Sequence, residues 1–203
     1  MGAMMEKPII AVSLTGVLVS SAPWKKAHEQ GMKAHAENLG IDFSTINGED
    51  YFNIVEKSLE KIWPDLTPED RIKKRRKIYF EHVLGFLKSD FDIKQEILDY
   101  FSSLKEKYIL ALVTTNNEKM TQEVLGLLGA GDLFDIVEFS EDDEKDDKEA
   151  VLKRLIEKQG KPIILVENKD KLKEFCGEQG IKHVLFDVDT DDLDKLKGEI
   201  DGN

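Results

Sequence analysis

The sequence predicts an α/β fold, a doubly wound parallel five-stranded sheet interrupted once by a block of helices. Three observations predict it. Short apolar runs rich in Ile, Val, Leu and Phe recur at residues 8–12, 108–113, 135–139, 162–166 and 182–186, each too short for a helix and bounded by polar or turn residues. Helix-length segments alternate with the later runs, which implies right-handed crossovers and a parallel sheet. The first and second runs are separated by 95 residues that hold no comparable strand.

The first run, 8–12, follows a leader in which Met1-Gly2-Ala3-Met4 reads as vector-derived, ahead of a native start at Met5. The long gap then reads as helices at 23–39, 49–62, 68–87 and 92–107, punctuated by Gly40-Ile41-Asp42, Trp63-Pro64 and Lys88-Ser89-Asp90. We expect residues 20–91 to form a helical cap inserted after strand one, with 5–19 and 92–203 forming the core. After strand two, helices are expected at 118–128, 147–159, 169–179 and 190–197. Gly126, Gly129 and Gly131 read as the stop of the 118–128 helix.

Composition narrows the classes of function. A chain of 203 residues buries roughly 70% of its unfolded surface, enough for a real core and a smaller appended unit. A single cysteine, Cys176, leaves no internal disulfide, and neither a signal-peptide pattern nor a long apolar run is present. A cytoplasmic protein is expected, with no membrane partner. The 41 acidic against 29 basic residues give a charge of −12, which repels nucleic acid. One local exception stands out, since six of the seven residues from Arg71 to Lys77 are basic. This reads as the solvated face of a helix whose apolar side is Ile72, Ile78, Tyr79 and Val83, or as a docking site for an acidic partner.

In doubly wound sheets ligands sit beyond the carboxyl ends of the strands, so the residues there decide function. Strand one runs into Ser13-Leu14-Thr15-Gly16-Val17-Leu18, strand two into Thr114-Thr115-Asn116, and strand four into Glu167-Asn168. An acidic run from Glu141 to Glu149, seven acids in nine residues, follows strand three and contains Lys145 and Lys148. No Gly-rich phosphate loop and no zinc-spaced Cys or His pair is present. Trp24 and Trp63 read as core of the helical block, and His28 and His35 share a helix face.

Together these strand ends resemble the haloacid dehalogenase superfamily, with its Rossmann-like sheet and helical cap. Its first motif is an apolar strand followed by Asp-x-Asp-Gly-Thr-Leu, whose positions are taken here by Ser13, Thr15, Gly16 and Leu18. Thr114 matches the second motif, Lys148 or Lys145 the third, and Glu167 with Asn168 the acidic pair of the fourth. The resemblance implies a nucleophile at Ser13, an acid/base at Thr15, phosphate binding by Thr114 and the lysine, and magnesium at Glu167 and Asn168. The departures change that chemistry. Ser13 does not ionise near neutral pH without a base, Thr15 is no base, and Asn168 is neutral. A hard cation prefers charged oxygen ligands, so magnesium should bind weakly.

The expectation is a non-hydrolytic pseudo-phosphatase that binds a protein or a small anionic ligand and needs no cofactor. Two alternatives remain open. One is a divergent hydrolase of a small phosphorylated substrate using magnesium, and the other an interaction module using the basic stretch from Arg71 to Lys77.

Overall fold

A computed structural model describes residues 7–47, 50–89, 93–140 and 147–202. It divides the chain into two compact units, one joining Met1–Ser21 to Asp92–Asn203 and the other spanning Ala22–Phe91.

Along the chain, β1 (Ile9–Ser13) is followed by α1 (Ala22–Leu39), α2 (Tyr51–Ile62) and α3 (Pro68–Ser89). Then come α4 (Gln95–Leu104), β2 (Ile109–Val113), α5 (Glu118–Leu128), β3 (Ile136–Glu138) and α6 (Lys148–Gln159). The last elements are β4 (Ile164–Glu167), α7 (Lys173–Gln179), β5 (Lys182–Leu185) and α8 (Leu193–Asp201). The expected elements are all present, with shifted ends. β1 and β4 each run one residue further than the apolar pattern, to Ser13 and Glu167, because the sheet pairs past the last apolar side chain. The closing helix starts at Leu193 rather than 190, since Asp192 caps it by accepting the Lys195 N–H at 2.9 Å. The 169–179 segment opens as a 3-10 turn, Asp170–Leu172, before α7.

The sheet order is β3-β2-β1-β4-β5, and among the described residues its strand pairings are all parallel. Ser13 lies opposite Val113, which aligns the carboxyl ends of β1 and β2, while Val12 lies opposite Val166 in β4. Every residue of β1 is buried, as expected for a strand covered on both faces. One core layer joins Ala11, Val113 and Leu165 of the sheet to Val151, Leu152 and Leu155 of α6 and to Cys176 of α7.

Local chemistry sets the helix ends that frame the sheet's carboxyl edge. Asn117 accepts the Met120 N–H at 2.9 Å and starts α5, and Asp147 accepts the Ala150 N–H at 2.9 Å and starts α6. Gly129, at φ +63°, ends α5 in the left-handed region, whereas Gly126 lies inside that helix rather than in its stop.

The Ala22–Phe91 unit has its own core of Met32, Ile54, Val55 and Leu59, with Trp63 packed against it. Thr67 caps α3 and Pro68 opens it: the Thr67 hydroxyl accepts the Asp70 N–H and donates to the Asp70 carboxylate. The apolar side expected for that helix needs correction. Ile72 and Ile78 are 39% and 37% exposed, while Val83 and Leu87 are buried, because basic side chains lie along the helix's inner flank. Arg71 donates to the carbonyls of Trp63 and Pro64, Lys74 lies over the Trp63 ring, and Arg75 donates to the Tyr51 hydroxyl at 2.6 Å. Half of the basic stretch therefore braces its own unit. His28 stacks on Tyr51, and His35 shares a 2.9 Å hydrogen bond with Ser58. Burial, aided by the Arg75 charge, lowers the His35 pKa to about 4.

Candidate functional site

The carboxyl edge of the sheet opens into a cavity of about 260 Å³. Its lining includes Thr15, Thr114, Lys148, Glu167 and Asn168, five of the residues singled out from the sequence. Ser13 is not among the lining residues and is 0% exposed. Lys145 lies outside the described residues, as does the acidic run from Glu141 to Asp146.

Each of these side chains is placed by a strand end. Ser13 is the last residue of β1, and its hydroxyl donates to Glu167 Oε2 at 2.8 Å. Glu167 is the last residue of β4, with its side chain 9% exposed. The same oxygen pairs with Lys148 Nζ at 3.5 Å, reached from the first turn of α6. Ser13, Glu167 and Lys148 thus form a chain through one carboxylate oxygen, buried at Ser13 and Glu167 and reaching the cavity at Lys148. Burial lowers the Lys148 pKa, the Glu167 charge opposes that fall, and the nearby Lys169 ammonium adds to it. Behind Glu167, burial first and the same carboxylate second push the Cys176 thiol up to about 11, so it stays neutral.

After β1 the chain turns sharply. Gly16 sits at φ +85° and donates its N–H to the Val19 carbonyl at 2.7 Å, while the Val188 N–H donates to the Gly16 carbonyl at 2.9 Å. A Cβ at Gly16 would lie 2.0 Å from Asn168 Nδ2, so the Asn168 amide packs directly on the bare backbone. Opposite, Thr114 continues from β2 with its N–H donated to the Glu138 carbonyl at 3.0 Å, and its hydroxyl oxygen accepts the Asn116 N–H at 3.2 Å. Among the described residues no group accepts the Thr114 hydroxyl proton.

Lys169 and Lys171 also line the cavity and were missed from the sequence. The signal that pointed to them was Lys169-Asp170-Lys171 directly after the fourth motif.

The arrangement can hold an anion through hydroxyls and lysine cations. It does not fit the magnesium that the resemblance implies. Glu167 Oε2 is committed to Ser13 and Lys148, Asn168 is neutral and pressed on Gly16, and lysines share the lining. Among the described residues, no group of three His, Cys, Asp or Glu could hold a metal ion, and no helix is long and apolar enough to cross a membrane.

Comparison with known proteins bears on the same fold. A family model described as haloacid dehalogenase-like hydrolase matches residues 25–167, a span that starts after the Ser13–Thr15 turn. No curated protein matches the sequence. A haloacid dehalogenase-like family hydrolase from Streptococcus pneumoniae is 17% identical, with 97% of this chain and 92% of that chain covered and a TM-score of 0.58. The HAD-hydrolase YfnB from Bacillus subtilis, solved bound to magnesium, is 11% identical, with 97% and 99% covered and a TM-score of 0.57. A HAD family enzyme from Bacteroides thetaiotaomicron, solved with magnesium and inorganic phosphate, is 16% identical, with 94% and 98% covered and a TM-score of 0.58. At these identities the structures speak to the fold alone. With the family model spanning most of the chain and the parallel five-stranded sheet in place, the chain belongs to the haloacid dehalogenase-like hydrolase family.

Proposed function

We propose that this chain is a non-hydrolytic member of its family, a pseudo-phosphatase that holds a small anionic ligand in the cavity beyond β1, β2 and β4. One observation carries the reading. The side chain at the nucleophile position, Ser13, is fully buried and donates its hydroxyl hydrogen bond to Glu167, so it stays protonated and meets no ligand. Thr15, at the acid/base position, has no titratable group. Thr114 and the lysines supply what holds an oxyanion rather than what breaks an ester. The volume lies just under the roughly 300–1,000 Å³ of pockets for drug-sized ligands, which suits a small metabolite.

The test is a panel of phosphate monoesters with magnesium, run on the purified protein and on Ser13→Ala. No turnover above buffer is expected for either. Turnover that copurifies with the protein and vanishes in Ser13→Ala would overturn the proposal in favour of a divergent hydrolase, the reading that the magnesium in the Bacillus and Bacteroides relatives supports.

A further inference from the structure

Three lysines line the cavity, and they do not stand alike. Lys148 faces Glu167 across 3.5 Å and has its charge largely compensated from within the protein. The cavity's other lining carboxylate, Asp147, is held by the Ala150 N–H at the start of α6. Lys169 and Lys171 make no ion pair or hydrogen bond among the described residues, and Asp170 between them is not part of the lining. The 3-10 turn that follows β4 sets them two residues apart on the cavity rim, while Leu172 beside them anchors the turn in the core.

Resting on the reading of an anion-binding cavity, we propose that Lys169 and Lys171 take over the charge a magnesium ion would bring, making this a metal-independent oxyanion site. Its ligand is a compact phosphorylated or carboxylated small molecule. The anion meets the Thr114 and Thr15 hydroxyls on one side and the two rim ammonium groups on the other. Lysine acts on phosphate as a flexible point charge, so exposed stems reaching in from a turn suffice. The donor set around Glu167 and Asn168 does not suit a divalent cation, and two cations with no ion pair among the described residues occupy the same cavity. A bound divalent ion would be repelled by them, whereas an anion would be attracted by both.

The test is isothermal titration calorimetry of inorganic phosphate into the full chain near neutral pH, once with EDTA and once with excess magnesium. Phosphate should bind with the same Kd in both buffers. Lys169→Met with Lys171→Met should weaken it by at least about tenfold, with circular dichroism confirming an unchanged fold. Lys173→Met, outside the lining, should leave it unchanged. Binding strengthened about tenfold or more by magnesium, an unaffected double variant, or no phosphate binding in either buffer would each refute the inference. Magnesium-dependent binding without ester turnover would refute it while leaving the non-hydrolytic reading standing; ester turnover would strike that reading itself.

Discussion

Replacing Glu167 by Gln removes one charge while keeping the side chain's size and an oxygen able to accept from Ser13, which isolates the ion pair. At an effective dielectric of about 20, unit charges 3.5 Å apart attract by roughly 5 kcal/mol. Desolvation of two side chains only 20% and 9% exposed offsets much of this. Losing the carboxylate also leaves Lys148 buried without compensation, so Glu167→Gln should cost about 2–3 kcal/mol. With an m-value of about 2 kcal/mol per molar, the urea midpoint read by far-ultraviolet circular dichroism should fall by about 1 M. Lys148→Met should cost less in the Gln background than in the parent, giving a coupling of at least about 1 kcal/mol. The pH dependence has a defined sign. The unfolded chain keeps the Lys148 proton up to its ordinary value of 10.5, and the folded chain releases it earlier, so stability rises with pH across that window. Glu167 opposes the lowering, so its removal should extend the window to lower pH. A variant as stable as the parent, or a coupling below about 0.5 kcal/mol, would refute the account of a shared carboxylate.

Two further outcomes follow from single sites. His35 has a folded pKa of about 4 against 6.5 for an ordinary histidine, so its contribution is intact above pH 6.5 and is lost as pH falls toward 4, by up to roughly 3 kcal/mol. Both tryptophans, Trp24 and Trp63, lie in the His35-containing unit, so urea titrations followed by tryptophan fluorescence should show a midpoint falling between pH 6.5 and 5 in the parent and flatter in His35→Gln; equal slopes would refute it. Gly16→Ala should lower Tm, since alanine at φ +85° costs about 1–2 kcal/mol and its Cβ would also strike Asn168. Adding Asn168→Ala should restore part of that loss but not the backbone cost, and a Gly16→Ala protein with unchanged Tm would contradict the turn geometry.

Much of the fold was legible because buried strands announce themselves as short apolar runs. The 118–128 helix was legible for a different reason: Asn117 and Gly129 mark its ends through local chemistry. The sheet's last polar residues were not, since Ser13 and Glu167 extend their strands through backbone pairing that ignores side-chain polarity. The site was legible at the level of which strand ends converge. The contact that determines its character was not, because Ser13 and Glu167 lie 154 residues apart and only the packed sheet brings them to 2.8 Å. Ile72 and Ile78 misled the reading of α3, where a helical period counted apolar residues as inward although arginine stems and aromatic rings cover that flank.

A single oxygen of Glu167 serving two partners also constrains what mutation can do to this chain over time. A lone Ser13→Asp change, which would match the aspartate of the family's first motif, would set a second carboxylate at hydrogen-bond distance from Glu167 inside the core. Changing Glu167 first strands Lys148. Each single step passes through a less stable protein, so rebuilding the family's first motif at this position requires simultaneous or compensated changes, and single substitutions at these three residues are selected against on stability alone.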